Sequence, residues 1–397
     1  MSSGFLVKML PPIFEDEPNP MRHLKNDKRY LLTRPRGGLN DALVQLEKSR
    51  RYASAYDRVL VLDMSRSGLR AHIDDMFEIQ NDFGCEVLIW NEEIGNELDE
   101  ITSVRPKNLA KRTSLYVAEW DNEVIQYKDR DSGSYINFDH QSDHPETLLV
   151  YEQAGGGLAG LCVLRDLAFT ADLANAIAKR LIPIGPDYDA IHIRHTDYQT
   201  DYENLFRRTK GLFAGRNLLI CSDSKKVKSF ARSFFHPSTR LLSVSNVPET
   251  DGVTLSESDL VSPQIAALDL FSDLVAMARA NNFVFTGLAP TNSNGVRFSG
   301  FSNLVVSLRA ERLTLEMLFR NGDADLLKPL FGDGDKYSAQ TARRGNFCVV
   351  LRRLFHLLDQ WRWNFGAKRK TLSIRNKIRR RHDIASRIGP RIVEQQN

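Results

Sequence analysis

Short apolar runs alternate with helix-like stretches along most of this chain, and this alternation constrains its fold more than any other feature. Residues 30–33 predict a strand, 34–38 a turn, 39–56 a helix and 58–63 the next strand. A strand, a crossover helix and a second strand form a βαβ unit, which is typical of α/β domains with parallel sheets.

The alternation continues on both sides of a break near residue 183. Three more strands are predicted in the first half, at 85–90, 114–120 and 148–151, followed by one long amphipathic helix at 164–181. Pro183, Gly185 and Pro186 then interrupt the pattern, and we place a domain boundary there. In the second half, strands are predicted at 190–194, 217–222, 240–244 and 282–286, and helices at 202–210, 225–235, 264–280 and 300–311.

This order predicts an α/β protein with two Rossmann-like domains facing a cleft. We assign residues 1–183 to the first domain, 184–335 to the second and 336–397 to a basic helical tail. The length of 397 residues suits two domains of ordinary size plus a remainder. The sequence shows no convincing internal repeat.

Composition predicts a globular protein of the cytoplasm, and we expect its source to be a bacterium. The hydrophobic fraction is 42% and the charged fraction 26%, and no run of about 18 apolar residues predicts a membrane-spanning helix. The first twenty residues lack the basic start and apolar core of a secretory signal. The four cysteines (Cys85, Cys162, Cys221 and Cys348) have no paired spacing, which favours reduced thiols.

The charge is unevenly distributed. Residues 341–397 contain 15 Lys/Arg and 3 Asp/Glu, a net charge of +12, so the rest of the chain, whose total is +4, carries −8. An amphipathic helix predicted at 347–365 and the basic runs after it suit peripheral contact of residues 347–381 with the inner, anionic face of a membrane. Packing of the tail on the body or on a second subunit is the other interpretation. The acidic body does not favour nucleic acid as a partner.

One strand of the second half ends in a cluster of charged residues. The apolar run 188–193 leads into Arg194, His195, Thr196 and Asp197. Ligands bind at the carboxyl ends of parallel strands, and an arginine there can hold a phosphate with two parallel hydrogen bonds. Pairing of Arg194 with Asp197 or another acid is the structural alternative.

Two further segments have the composition of anion-binding turns. Gly37 and Gly38 follow the first strand and allow close backbone approach, and the Asn40 amide can reach across the cleft. Ser299 and Ser302 open the last predicted helix of the second half, where hydroxyl and free N–H groups bind anions. Simple helix capping is the alternative for the two serines.

Asp269 lies on the helix that precedes this serine segment. Its carboxylate could accept hydrogen bonds from N1–H and N2–H of a guanine, or it could be an ordinary exposed acid.

A glycine-rich segment at 152–160 contains Gly-x-Gly-x-x-Gly, which in a dehydrogenase binds a dinucleotide. That fingerprint needs an acid about 20 residues later, at the end of the next strand. The next predicted strand ends at Arg194, about twice too far, and Asp172 lies inside a predicted helix. The glycines are therefore better explained as a loop that borders the cleft.

The order of these motifs resembles the α-1,6/α-1,2/protein O-fucosyltransferase superfamily over residues 29–313. The order is Gly-Gly-x-Asn after the first strand, then His-x-Arg-x-x-Asp, then an acidic helix, then Ser-x-Phe-Ser before a helix. The resemblance implies a GT-B fold, GDP-β-L-fucose as the donor, inversion to an α-linkage and no metal or other cofactor.

The resemblance also implies roles for individual residues. It makes Arg194 the phosphate-binding and catalytic arginine and Asp269 the reader of guanine. The predicted donor-binding set contains, besides these two, Gly37, Gly38, Asn40, His192, His195, Asp197, Asp223, Ser299 and Ser302. His195 stands where many members have a second arginine. The catalytic base is Asp201 or Glu203, and the spacing does not choose between them.

The sequence therefore predicts an inverting, metal-independent glycosyltransferase that moves L-fucose from a GDP-sugar to a hydroxyl of an oligosaccharide or glycoconjugate. Two alternatives stay open. One is a GT-B transferase that uses another nucleotide sugar, and the other is a catalytically idle module that binds nucleotides or glycans.

Overall fold

A computed structural model describes residues 23–331, except 81–82, 199, 236, 238, 247–259 and 289–297. By its contacts the chain divides into two compact units, Met1–Leu330 and Phe331–Asn397. Only Phe331 of the second unit is described. The predicted tail helix, the membrane contact at 347–381 and Cys348 lie outside the described residues.

The first half of the larger unit contains nine strands and four α-helices among the described residues. In chain order they are β1 (Tyr30–Thr33), α1 (Leu39–Ala55), β2 (Val59–Leu62), β3 (Phe77–Ile79), β4 (Val87–Ile89), α2 (Glu92–Asp99), β5 (Val104–Arg105), β6 (Ala118–Asp121), β7 (Gln126–Asp129), β8 (Leu148–Tyr151), α3 (Gly160–Leu164), β9 (Leu167–Phe169) and α4 (Ala171–Leu181).

The second half contains four strands and six α-helices among the described residues. They are β10 (Asp189–Ile193), α5 (Tyr202–Phe213), β11 (Asn217–Ser222), α6 (Lys225–Phe235), β12 (Arg240–Leu242), α7 (Pro263–Arg279), β13 (Phe283–Phe285), α8 (Gly300–Ala310), α9 (Arg312–Met317) and α10 (Ala324–Phe331). Short 3₁₀ turns occur at Ile73–Asp75, Lys107–Leu109 and Ile182–Ile184.

Each half is built around its own parallel sheet. The first sheet has the order β4-β2-β1-β8-β5, and the second has the order β12-β11-β10-β13. In the second sheet β10 lies between β11 and β13, so that His192 pairs with Cys221 on one side and Phe285 on the other. β1, β8 and β10 are buried at every position, which is typical of parallel strands covered on both faces. The α/β class with parallel sheets is thus confirmed.

Most predicted elements have nearly the predicted bounds. The strands at 30–33, 148–151 and 217–222 and the helix at 225–235 coincide with β1, β8, β11 and α6. The strand predicted at 114–120 is only partly correct, because regular pairing begins at Ala118. The domain division at 183–184 stays a prediction.

The prediction of one long helix at 164–181 is wrong. The segment splits into the end of α3, the strand β9 and the helix α4, and β9 pairs antiparallel with β3. Phe169 is fully buried and its ring contacts Phe77, Phe271 and Phe319. This apolar cluster holds residues 167–169 extended. Thr170 then caps α4 by accepting a hydrogen bond from the backbone N–H of Leu173.

Buried ion pairs occupy the carboxyl ends of β1, β2 and β8. Arg34, fully buried, donates from Nε to Oδ2 of Asp63 at 2.7 Å. Glu152, also fully buried, accepts from Arg36 through one carboxylate oxygen and from Arg66 through the other. Burial alone would raise the pKa of Asp63, but the charge of Arg34 and the hydrogen bonds from Ser65 and Arg34 together hold that pKa below its usual value.

Candidate functional site

A cavity of about 240 Å³ is lined by residues from both halves of the larger unit. The first half contributes Gly38 and the turn that contains Gly68, Leu69 and Arg70. Seven of the predicted donor-binding residues line this cavity, namely Gly38, His192, Arg194, Asp197, Asp223, Asp269 and Ser299. The fold therefore brings together residues that are more than 200 positions apart in the sequence.

Arg194 follows the last residue of β10 and is paired with Asp197. Its Nε donates to Oδ1 of Asp197 at 2.7 Å, and its Nη2 donates to Oδ2. The guanidinium lies 5.0 Å from the ring centre of Tyr198. The structural alternative of an Arg194–Asp197 pair is thus realised, but inside the cavity, and Arg194 stays 37% exposed. Burial opposes its charge, yet the bonds to Asp197 and the nearby Asp223 outweigh burial and raise its pKa.

His192 is a buried, neutral imidazole that connects β10 to α8. Its Nδ1 lies 2.7 Å from the hydroxyl of Ser302, and its ring packs against Phe301. Burial and the charge of Arg194 lower its pKa to about 3. His192 and Ser302 together fix the first turn of α8 beside the cavity.

The N-terminus of α8 lies at the cavity. Ser299 caps the helix, because its hydroxyl accepts from the N–H of Phe301 at 3.3 Å. Both residues line the cavity. Free N–H groups and the helix dipole favour a negatively charged ligand at such a position.

Asn40 joins the two halves at this point. Its Nδ2 donates to the carbonyl of Gly157 at 3.1 Å, in the glycine-rich loop after β8. The same atom lies 2.9 Å from where a Cβ would stand on Gly300, so only glycine fits there without displacing Asn40. Asn40 is 5% exposed. Its predicted contact with a donor stays a prediction.

The glycine-rich loop packs on the start of α1. A Cβ on Gly156 would stand 2.9 Å from Oδ1 of Asp41, and one on Gly37 would stand 2.8 Å from its Oδ2. Gly37 also has φ +86°, a conformation that side chains rarely adopt. Asp41 thus lies between Gly37 and Gly156 of the loop. That the loop borders the cleft stays a prediction.

Asp223 accepts a hydrogen bond from the backbone of His195, the residue after Arg194. The N–H of His195 donates to Oδ1 of Asp223 at 2.8 Å, and the hydroxyl of Thr196 donates to the Asp223 carbonyl. Burial raises the pKa of Asp223, although these bonds and Arg194 oppose the rise. Burial also lowers the pKa of His195. His195 is therefore a weak substitute for a second phosphate-binding arginine near neutral pH.

Asp269 is engaged by a cation that the sequence reasoning missed. Nη1 of Arg180, on α4, donates to Oδ1 of Asp269, on α7. The carboxylate lines the cavity and is 16% exposed. The assignment of Asp269 to guanine stays a prediction, and a guanine there would share the carboxylate with Arg180.

The two predicted bases lie on the start of α5. Asp201 caps this helix by accepting from the N–H of Asn204, and Glu203 is paired with Arg207 on its surface. Neither is among the residues that line the cavity. Their catalytic role stays a prediction.

The sequence did not single out three charged residues that line the cavity or are coupled to Arg194. Asp41 lies in the first turn of α1, where burial raises its pKa while the charge of Arg194 and the N–H of Gly38 lower it. Asp273 lines the cavity and accepts from the Ser245 hydroxyl at 2.8 Å, and burial raises its pKa. Arg70 lines the cavity with φ +51°. Only Asp41, next to Asn40 in the first motif, had a local signal.

No three His, Cys, Asp or Glu side chains within the described ranges lie close enough together to hold a metal ion. The arrangement offers instead a guanidinium, a capped helix N-terminus and a neutral imidazole around one cavity. These groups can bind an anion and stabilise negative charge that develops on it. None of the described helices is long and apolar enough to cross a membrane.

No family model and no curated protein matches this sequence. Among solved structures, the chain is similar to NodZ α-1,6-fucosyltransferase co-crystallized with GDP, with 17% identity over 70% of this chain and 92% of that one and a TM-score of 0.47. Fucosyltransferase NodZ from Bradyrhizobium is 18% identical over 70% of this chain and 93% of that one, with a TM-score of 0.46. POFUT1 in complex with GDP is 12% identical over 73% of this chain and 96% of that one, with a TM-score of 0.42. All three TM-scores are below 0.5, so the similarity is distant.

Proposed function

We propose that this protein is a glycosyltransferase of the GT-B type that transfers L-fucose from GDP-β-L-fucose to a hydroxyl of a glycan. The observation that carries the proposal is the position of Arg194. It follows the buried strand β10 and lines the same cavity as the capped N-terminus of α8. The order of motifs along the sequence identifies the family that this arrangement resembles.

The charge distribution suits the departure of a nucleoside diphosphate. As the bond between sugar and phosphate breaks, negative charge gathers on the β-phosphate. Arg194 and the N-terminus of α8, which lines the cavity at Ser299, would stabilise that charge where it develops. Asp197 accepts from Nε–H and from one N–H of Nη2, so the N–H groups of Nη1 and the second N–H of Nη2 are left for a phosphate. Because Arg194 supplies the charge, we propose that the reaction needs no metal.

Inversion requires a base on the opposite side of the sugar from the diphosphate. We assign this role to Asp41, because it belongs to the first half, is coupled electrostatically to Arg194 and has a pKa raised by burial. Like Asp201 and Glu203, it is not among the residues that line the cavity, but it lies two residues after Leu39, which does. A higher pKa makes a carboxylate a stronger base. Asp201 and Glu203 are the alternatives named from the sequence.

The test is hydrolysis and transfer with a panel of radiolabelled sugar nucleotides. We expect the purified chain to release fucose from GDP-fucose without an acceptor, and faster than it hydrolyses GDP-mannose or UDP-sugars. GDP should raise the melting temperature more than UDP or NAD, because a ligand that binds only the folded state stabilises it. Stabilisation by NAD alone would overturn the proposal. Binding of GDP without turnover of any sugar nucleotide would indicate the idle module.

A further inference from the structure

A second cavity, of about 520 Å³, lies next to the first. The two cavities share Ser245, Asn246 and Asp269. The wall between them therefore contains the Asp269 carboxylate and its partner Arg180. Arg194 does not line this second cavity, so its chemistry can be considered apart from the proposed transfer.

The charges that line the second cavity are mostly positive. Its lining includes Arg180, Lys225, Lys228 and Arg232, against the single carboxylate of Asp269, a formal balance of +3. The remaining polar groups are the hydroxyls of three serines and the amide of an asparagine. Such a set offers many hydrogen-bond donors and is suited to a ligand with several negatively charged oxygens.

The fold of α6 explains why these cations share one side. Lys225, Lys228 and Arg232 are three to four residues apart, so they lie on one helical face. The adjacent face of the helix is anchored in the core through Val227, Ala231 and Phe235. The cationic face cannot turn away without exposing those side chains.

Two of the cations differ in how they are held. The Lys228 ammonium donates to the Ser243 hydroxyl at 3.3 Å and to the carbonyl and hydroxyl of Ser245 at 3.1 and 3.0 Å. It is therefore fixed at the cavity by the loop after β12. Arg232 is exposed and forms no ion pair with any described residue. The cavity thus combines a positioned ammonium with a guanidinium that is available to a ligand.

We propose that the second cavity binds a phosphate or diphosphate group, either free or carried on a larger molecule such as a sugar phosphate. The guanidinium of Arg232 provides a fork for two phosphate oxygens, and the ammonium groups of Lys225 and Lys228 provide point charges. A diphosphate carries enough charge to balance the excess of three cations. The proposal does not depend on the function proposed for the first cavity.

The test is calorimetric titration of the full chain with inorganic pyrophosphate at low ionic strength. Arg194 in the first cavity could also bind pyrophosphate, so the titration uses Arg194→Gln as its background. We expect this variant to keep one pyrophosphate site. Adding Lys225→Gln and Arg232→Gln should weaken the affinity about tenfold or more, since hydrogen bonds to charged groups are lost. Both side chains are exposed, and an unchanged melting temperature would show that the fold is intact.

The matched control is Arg207→Gln in the same background. Arg207 is an exposed arginine of α5 that is paired with Glu203 and does not line the cavity. It should change the affinity less than about twofold. Absence of binding in Arg194→Gln, equal weakening by the control, or equal affinity for sulfate would overturn the proposal.

Titration with glucose 1-phosphate tells the two sources of the group apart. Tighter binding than pyrophosphate assigns the cavity to a phosphate on a larger molecule, and weaker binding assigns it to the free ion. Failure of GDP to bind the wild-type chain, with pyrophosphate still bound by Arg194→Gln, would refute the transfer reaction and leave the second site standing.

Discussion

Replacement of Arg194 by glutamine removes the cation on which the proposed transfer depends. The side chain makes two hydrogen bonds, both to Asp197, and the two partners are 37% and 29% exposed. Breaking an exposed pair of this kind changes the free energy of unfolding by less than about 1 kcal/mol. The variant should therefore fold, and any loss of turnover reports on the site.

The expected loss of turnover is much larger than the loss of stability. Removing one preorganised donor that faces developing negative charge lowers kcat by about 10² to 10³, which corresponds to roughly 2.7–4 kcal/mol of transition-state stabilisation. Arg194→Lys should lose a similar factor. It keeps the charge, but lysine is a point charge and cannot hold two phosphate oxygens with a planar fork.

The assay is release of radiolabelled fucose from GDP-fucose under single-turnover conditions, beside thermal unfolding of each variant. Arg207→Gln is the control, because it removes another arginine that is paired with an acid, on the surface of α5. Its turnover should equal that of the wild type. Near-normal turnover in both Arg194 variants would remove this side chain from the mechanism.

Three other substitutions probe the surroundings of the cavity. Gly300→Ala places a Cβ 2.9 Å from Nδ2 of the buried Asn40, so it should cost about 1–3 kcal/mol in denaturant unfolding, more than alanine gains in a helix. Asp41→Asn should lower kcat by about 10² to 10⁴ and abolish the acidic limb of the pH–rate profile, which burial places above the ordinary aspartate range. His192 has a pKa near 3 in the fold and about 6.5 when unfolded. The unfolded state therefore binds the extra proton. The free energy of unfolding falls as the pH drops below 6.5, by about 2 kcal/mol at pH 5. His192→Asn should remove this fall.

Each of these expectations has a clear contrary result. Gly211→Ala is the control for Gly300→Ala, because its new Cβ meets no atom within 4 Å, and it should stabilise α5 by about 1 kcal/mol. Equal effects of the two alanines would refute the crowding argument. A normal pH–rate profile in Asp41→Asn would return the base to Asp201 or Glu203. A His192→Asn variant with the wild-type pH dependence would show that another group titrates.

The sequence predicted the elements that carry the cavity because their signals are local. The apolar run before Arg194 and the change to charged residues after it mark the end of β10, and Ser299 marks the start of α8. Both signals depend only on neighbouring residues. The same holds for the glycine pair after β1, whose Gly37 needs a positive φ.

What the sequence did not predict depends on contacts between distant segments. Arg180 and Asp269 are 89 residues apart, and nothing in either helix indicates that they pair. β9 forms because the Phe169 ring packs against aromatic rings from three other segments of the chain. This packing overrides the helical pattern of 164–181. Asp41 was passed over because a raised pKa arises from burial in the folded chain.

The ion pairs at the end of the first sheet explain an asymmetry between the two halves. There, Arg34 is paired with Asp63, and Glu152 is shared between Arg36 and Arg66, so three arginines face two carboxylates and both carboxylates are already engaged. A nucleotide phosphate at these strand ends would have to compete with the buried carboxylates for the same guanidinium groups. If the chain is the transferase proposed above, we expect a molecule that contacts the first half to be recognised by its surface turns, and those turns are the place to change to obtain a different acceptor.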